Sequence, residues 1–215
     1  MAQFPCPLCS GTSQTPLRSS AGRTYFDCAA CGLIFMDPAH YLSPAEEKKF
    51  YLTHNNDVQD PRYQKFVSPI TDYVKAHVPP GSRGLDFGSG TGPVLWHVLR
   101  EAGYAMEKFD PYFDPLIKNL ERKYDFVVTS EVVEHFQQPR KEFELLLKRL
   151  GPRAPVMIMT LKYNDEIDFE TWFYANDPTH VCFYREKTFD WIASNLGYKI
   201  HKKINNRFSI LWAVE

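Results

Sequence analysis

The stretch that most constrains the fold is 83–92, RGLDFGSGTG, in which a short apolar run ends in an acid and three glycines alternate with small residues. The run is typical of a buried strand, and residues 93–99 have the pattern of a helix. Glycines between the two allow a sharp turn and leave room for a ligand against the backbone. The dinucleotide fingerprint is Gly-x-Gly-x-x-Gly, but Pro93 stands where its third glycine belongs. The turn therefore argues against a pyrophosphate site. Taken alone, the pattern fits a purely structural turn as well as it fits a ligand-binding turn.

Chain length and charge limit the possible classes of protein. With 215 residues, there is room for one domain of about 150–200 residues and a small appendage. The net charge of −1 gives no general attraction to nucleic acid or an anionic membrane. No apolar run approaches the roughly 20 residues of a membrane span, and signal-peptide features are missing at the N-terminus. We therefore expect a cytoplasmic protein without a membrane partner, whose five cysteines bind metal or stay as free thiols.

Residues 1–36 contain two cysteine pairs, each with two residues between its members and with 18 residues between the pairs. This spacing is typical of a four-cysteine zinc site. Four thiolates leave no open coordination position, so the predicted zinc is structural and holds together a segment too small for its own core. A chance coincidence of two pairs is the poorer explanation. The predicted ligands are Cys6, Cys9, Cys28 and Cys31.

Two helices are predicted between residues 37 and 80. Ser43-Pro44-Ala45-Glu46 is a capping box with proline at the first helical position, which predicts a helix to about residue 52. Asp60-Pro61 predicts the start of a second, amphipathic helix. The polar residues 53–57 separate the two.

Beyond residue 80, strands alternate with helices, which implies a parallel sheet with an antiparallel edge. Only 14 residues separate Asp110 from Asp125, too few for a helix, a strand and a second helix, so one strand of the usual sheet is shortened or missing. Residues 161–184 form a long loop rich in aromatic and acidic residues. The predicted strands are 105–109, 125–130, 155–160 and a closing hairpin of 198–204 with 208–214, and the predicted helices are 141–148 and 187–196.

Asp110 directly follows the predicted strand 105–109, about 20 residues beyond the glycines. An acid in that position can accept hydrogen bonds from both ribose hydroxyls of a bound nucleoside. The alternative is a turn aspartate before proline. Glu107 is a competing acid, but it lies inside the strand and is expected to point elsewhere.

Three stretches in this order, LDFGSGTG at 85–92, Asp110-Pro111 and YDFVVTSEVVEH at 124–135, resemble the class I S-adenosylmethionine (SAM)-dependent methyltransferases. The similarity is to the small-molecule branch that includes the ubiquinone-biosynthesis O-methyltransferases, and it covers residues 80–215. THVCFY at 179–184 resembles the C-terminal pattern of the same branch. An N-terminal four-cysteine segment also resembles members of this group, including some sugar C-methyltransferases.

The resemblance implies an α/β fold with a Rossmann-like SAM-dependent methyltransferase sheet in 81–215, a helical connection and lid in 37–80, and a zinc ribbon in 1–36. It implies SAM as the cofactor and a small-molecule methyl acceptor as the partner. The candidate catalytic bases are His180 and His135. The alternative for His180 is a structural role in its loop, and the alternative for His135 is an architectural or cofactor-side role. The implied cofactor-binding residues are Asp86, Gly88, Ser89, Gly90, Thr91, Gly92, Asp110, Ser130 and Glu131.

Two other functions stay open. Zinc segments precede some ribosomal-RNA methyltransferases, but the charged residues of 1–36 are only Arg18, Arg23 and Asp27, a poor match for a phosphate backbone. Nucleic acid is therefore the less favoured partner. A SAM-binding or zinc-ribbon adaptor without catalysis is the other alternative. The sequence leaves undecided the acceptor, the methylated atom, the oligomeric state, and whether the polar trio Tyr51, His54 and Asn56 lines the pocket or forms a plain loop.

Overall fold

The structure, a computed structural model, describes residues 4–19, 21–54 and 56–214. The helices are α1 Pro44–Tyr51, α2 Pro61–His77, α3 Val94–Glu101, α4 Pro139–Arg149 and α5 Glu186–Asn195. The strands are β1 Gln14–Arg18, β2 Thr24–Cys28, β3 Ile34–Met36, β4 Arg83–Phe87, β5 Ala105–Phe109, β6 Phe126–Ser130, β7 Pro155–Met159, β8 Cys182–Phe183, β9 Tyr198–Lys203 and β10 Phe208–Ala213. Short 3-10 turns also occur at Pro38–His40, Ile117–Leu120, Val133–His135 and Phe173–Asn176.

The central sheet has six strands in the order β5-β4-β6-β7-β10-β9. Strands β5, β4, β6 and β7 run parallel, while β10 pairs antiparallel with both β7 and β9. This confirms the predicted Rossmann-like α/β sheet with an antiparallel edge. Between β5 and β6 the chain forms only the 3-10 turn Ile117–Leu120, and β5 lies at the sheet edge. The prediction that one strand is missing is therefore confirmed.

The helices before the sheet begin at the predicted caps. The Ser43 side chain accepts the Glu46 N–H and the Glu46 carboxylate accepts the Ser43 N–H, so both halves of the capping box are present. Asp60 accepts the Arg62 N–H at the start of α2. Helix α2 buries Val67, Ile70 and Val74, and packs against α3. Burial of each such side chain stabilises the fold by about 1.5–3 kcal/mol, which fixes α2 and therefore the loop before it.

A second sheet joins the cysteine-rich segment to the long loop. Its strand order is β1-β2-β3-β8, and the register pairs Ile34 with Phe183 and Phe35 with Cys182. Residues 161–184 were predicted to be one long loop, and the presence of β8 within them corrects that description. The reason is physical: β8 has two residues and pairs with a distant strand, which no local periodicity records. Cys182 of β8 is fully buried and lies in the same core cluster as Ile34 and Phe35.

Side chains reinforce this junction. Both Arg185 terminal nitrogens donate to the Asp27 carboxylate at 2.8 Å, and Arg23 donates to the carbonyl oxygens of Ala175 and Asn176. Tyr25 of β2 packs in the same buried cluster as loop residues. The division into 1–36, 37–80 and 81–215 stays a prediction, because the first segment shares its core with the last. None of the helices in the described part of the chain combines the length and apolarity that a membrane span requires.

Candidate functional site

A cavity of about 750 Å³ opens where β4, β5 and β6 end. Ligand sites of parallel sheets lie at this edge, and pockets for small ligands measure about 300–1,000 Å³. Most of the predicted site residues meet here, although they come from separate stretches of the chain. The predicted residues that line the cavity are Gly88, Ser89, Gly90, Thr91, Asp110, Ser130, Glu131, His135 and His180.

The glycine turn after β4 adopts the left-handed conformation twice, at Gly88 with φ 79° and at Gly90 with φ 62°. The two glycines have different surroundings. A Cβ on Gly88 would lie 2.5 Å from the methyl groups of Val132, whereas a Cβ on Gly90 would meet nothing within 4 Å. Gly88 therefore allows close packing, and Gly90 faces the open space of the cavity, where a ligand can approach the backbone.

Asp110 joins this turn to the end of β5. One carboxylate oxygen accepts the Gly90 N–H at 2.9 Å, and the other accepts the N–H groups of Tyr112 and Phe113 at 2.8 and 3.0 Å. A carboxylate offers about four lone-pair positions, so capacity remains for hydroxyl donors from the cavity. The hydrogen bonds hold Asp110 in place before any ligand binds.

Two predicted cofactor residues lie outside the lining. Asp86 is buried, where it accepts the Trp96 N–H at 3.1 Å, and burial raises its pKa to about 7. Gly92 lies under the backbone of Asn56, since a Cβ there would come within 1.7 Å of the Asn56 carbonyl oxygen. Both residues therefore support the turn without facing the cavity. The end of α1 and the residues that follow it contribute Tyr51, His54 and Asn56 to the lining. The structure therefore places this trio in the pocket.

His135 and His180 lie side by side, with ring centroids 4.8 Å apart. The Nδ1 atom of His135 lies 2.9 Å from the Thr179 carbonyl, and that of His180 lies 2.7 Å from the Tyr174 carbonyl. Because a carbonyl only accepts, each Nδ1 carries the proton and each Nε2 keeps its lone pair.

Burial keeps both imidazoles neutral. It lowers the pKa of His180 to about 3 and moves the pKa of His135 below 6.5. The Asp177 carboxylate lies 3.8 Å from the His180 Nε2. That carboxylate is positioned to stabilise an imidazolium if His180 gains a proton.

Two carboxyl groups adjoin Tyr174, that of the fully buried Glu134 and that of the half-buried Glu131. The Tyr174 hydroxyl donates to Glu134 and lies 3.1 Å from a Glu131 oxygen, which also accepts from Arg207 at 2.6 Å. Burial raises the pKa of Glu131 and of Glu134 to about 7. One donor atom from each of Glu134, His135 and His180 falls within a 4.8 Å cluster.

The buried Glu134 predicts a pH-dependent stability. Its folded-state pKa of about 7 exceeds the ordinary 4.5, so the folded state holds more protons between these values, and stability falls as pH rises through this window.

Glu134→Gln removes the titration of this carboxyl group. We expect the variant to gain about 3 kcal/mol relative to the wild type across the window, measured by denaturant unfolding at pH values below 4.5 and above 7. Glu144→Gln, on an exposed residue, is the control; parallel pH slopes for Glu134→Gln and the wild type would contradict the prediction.

One acid of the cavity lining, Glu47, was missed by the sequence-based predictions. The Glu47 carboxylate of α1 accepts the Tyr51 hydroxyl at 2.8 Å and the Tyr112 hydroxyl at 2.6 Å. Glu47 and Tyr51 are four residues apart in a predicted helix, and that spacing was the available signal. Tyr174 and Arg207 were missed as well, because they meet Glu131 only through the fold.

The four cysteines form a separate cluster in the N-terminal segment. The sulfur atoms of Cys6 and Cys31 lie 3.6 Å apart, those of Cys9 and Cys28 lie 3.4 Å apart, and all four fall within 4.8 Å. Tetrahedral zinc with Zn–S bonds of about 2.3 Å separates its sulfurs by about 3.8 Å. No disulfide links them, so the donor set fits zinc.

The comparisons with known proteins agree with this geometry. Residues 56–203 match the family model described as a methyltransferase domain. No curated protein matches the chain significantly. The family model spans more than half of the chain, including the glycine turn, Asp110 and both histidines.

Solved structures share the fold. The 1,6-didemethyltoxoflavin-N1-methyltransferase of Burkholderia thailandensis, solved with its substrate and S-adenosylhomocysteine, matches with a TM-score of 0.58 and 12% identity over 93% of this chain and 99% of that one. TnmH matches with a TM-score of 0.55 and 15% identity, over 79% of this chain and 59% of that one.

An O-methyltransferase family protein from Burkholderia thailandensis matches with a TM-score of 0.50 and 16% identity, over 69% of this chain and 56% of that one. The chain thus spans little more than half the length of two of these three proteins. At such identities the likeness establishes the fold, and the family follows from the domain model. On that match, the chain belongs to the methyltransferase-domain family.

Proposed function

We propose that this methyltransferase uses SAM and methylates a small-molecule acceptor. The observation that carries the proposal is a single cavity lined by the glycine turn, Asp110 and a pair of neutral histidines. SAM supplies a methyl group on a sulfonium, which is already activated for transfer. The task left to the protein is to hold two ligands in line, and such positioning can supply about 7–11 kcal/mol of the barrier.

The chain's own residues divide this task. The open backbone at Gly90 admits the cofactor, and Asp110 offers lone pairs to its ribose hydroxyls. The free Nε2 atoms of His135 and His180 can accept a proton from an acceptor that must lose one during methylation. Asp177 lies where it stabilises the protonated His180.

The contacts of the cysteine-rich segment give no support to RNA as the acceptor. Of its two arginines, Arg23 is engaged with the carbonyl groups of Ala175 and Asn176. A phosphate backbone is bound by several free cations, which this segment does not offer. The proposed role of the segment is structural.

Gly90→Arg tests the proposal. The arginine side chain would enter the cavity, because a Cβ on Gly90 has no atom within 4 Å. We expect calorimetry to show SAM binding to the wild type and none to the variant. Circular dichroism is expected to show that the variant remains folded.

The matched control is Gly81→Arg. Gly81 also has a positive φ, of 81°, and free space around its Cβ position, but it lies outside the cavity lining. Both variants therefore carry similar backbone strain, and only one obstructs the site. Equal SAM affinity of Gly90→Arg and Gly81→Arg would overturn the assignment of the cavity to the cofactor.

A further inference from the structure

We propose that the methyl acceptor carries a cationic amine, and that Glu47 with Tyr51 and Tyr112 binds this group beside the two histidines. The inference rests on the proposed function and adds the chemical class of the acceptor. It excludes acceptors whose recognised group is a phosphate or a carboxylate.

The first support is the charge of the cavity wall. Among the described residues that line it, none is lysine or arginine, and the acidic ones are Glu47, Asp110, Glu131, Glu142 and Asp177. An enclosed surface of one sign raises the local concentration of ligands of the opposite sign. An anionic ligand would lose its hydration here without gaining a cationic partner, and that loss is costly.

The second support is that Glu47 has no cationic partner among the described residues, a state that it shares in the wall with Asp110 and Glu142. Glu131 is paired with Arg207 at 2.6 Å, and Asp177 lies near His180. Asp110 is held by three backbone N–H groups. Within the described part of the chain, Glu47 takes part in no ion pair, and its hydrogen bonds come from two neutral tyrosine hydroxyls.

The third support is the aromatic surface around Glu47. The rings of Tyr51 and Tyr112 have centroids 5.9 Å apart, and both hydroxyls converge on the Glu47 carboxylate. Aromatic faces attract ammonium groups through their quadrupole, and a carboxylate among them adds full negative charge. The arrangement therefore favours an ammonium group over a neutral or anionic one.

The fourth support is location. The Tyr51 ring packs edge-on against His135 with centroids 5.4 Å apart, and His135 packs against His180. The cation site is therefore next to the groups that we propose to take a proton from the acceptor.

The nearest basic side chains do not reverse this charge. Arg207 lies against Glu131 and the rings of Phe66 and Tyr174, outside the lining. Lys108 forms an ion pair with Asp114 at 2.7 Å. Arg207 and Lys108 are thus each matched by an acid, and the Lys48 ammonium lies outside the lining, 5.8 Å from the centroid of the Phe113 ring.

The test uses three phenols of similar size that differ in charge: tyramine is cationic, p-cresol neutral and 4-hydroxyphenylacetate anionic. Binding to the full chain with S-adenosylhomocysteine present is measured by calorimetry. We expect tyramine to bind at least about tenfold more tightly than 4-hydroxyphenylacetate, a ratio that corresponds to about 1.4 kcal/mol. Glu47→Gln should abolish most of this preference, whereas Glu144→Gln, outside the lining, should preserve it.

SAM binding is measured first, in a separate titration without any phenol. If SAM does not bind, the proposed function fails and the acceptor inference fails with it. If SAM binds and the anionic phenol binds as tightly as tyramine, or if no phenol binds measurably, only the acceptor inference is overturned. A tyramine preference unchanged in Glu47→Gln would remove Glu47 from the site.

Discussion

His180→Ala is expected to lower the rate of methyl transfer by about 10²–10⁴-fold, the usual loss when a general base is removed. The Nδ1–H group of His180 is committed to the Tyr174 carbonyl, so its Nε2 is the atom free to take a proton. Turnover is measured with labelled SAM at saturating acceptor. SAM affinity is expected to hold, because the proposed cofactor contacts are made by Gly90 and Asp110.

A structural role for His180 would also lower turnover, and His180→Asn separates the two. The asparagine amide can donate to the Tyr174 carbonyl as Nδ1 does, but it cannot take a proton from the acceptor. Added imidazole is expected to restore part of the activity of His180→Ala. Full activity of His180→Asn would show that the histidine only holds its loop.

His135→Ala is tested in the same way, since the His135 Nε2 is equally free. His77→Ala, on the exposed end of α2 and outside the lining, is the control and is expected to be silent. A large loss in only one of the two cavity variants would identify the base.

Loss of the zinc that we propose the four cysteines bind is expected to have the second large effect. Structural zinc contributes about 10–16 kcal/mol to the folding of small zinc peptides, so Cys28→Ser should cost this chain about 4 kcal/mol or more. For a chain of this size the melting temperature should then fall by about 10 °C. Zinc content and thermal unfolding are the measurements.

The Cys28→Ser variant is expected to lose more of its acceptor turnover than of its SAM affinity. Strand β3 of the cysteine segment pairs with β8, which closely follows His180, whereas Asp110 and the glycine turn belong to the six-stranded sheet. Cys182→Ser is the control, because Cys182 lies outside the sulfur cluster and donates to the Phe136 carbonyl. A Cys28→Ser protein with full turnover and unchanged melting temperature would refute the structural role of zinc.

The glycine turn and Asp110 were predictable because their signals are local. Strand, turn and helix patterns are contiguous from residue 83 to 99, and the spacing to Asp110 follows from one strand–helix–strand unit. Asp86 shows the limit of such signals. Strand β4 is buried along residues 84–87, so no polar face indicates the direction of an acidic side chain. In the structure, Asp86 accepts the Trp96 N–H and lies outside the cavity lining.

Contacts across the fold were not predictable in this way. Tyr112 and Glu47 lie 65 residues apart, and the four-residue spacing of Glu47 and Tyr51 carries no information about Tyr112. Arg207 reaches Glu131 from the hairpin of β9 and β10, and its partner depends on the sheet order. Local periodicity records which face of an element is buried, but not which element covers it.

The pairing of β3 with β8 has a consequence for synthesis. Asp27 and Arg185 are 158 residues apart, and ribosomes add about 5–20 residues per second. Strand β8, the fourth strand of the sheet that contains the cysteine segment, is therefore synthesised on the order of ten seconds after that segment. During that interval β3 is an unpaired, apolar edge, the kind of edge that recruits foreign strands. Early capture of zinc by the two cysteine pairs would hold the nascent segment in register until β8 emerges, so zinc supply during translation is expected to govern the yield of folded protein.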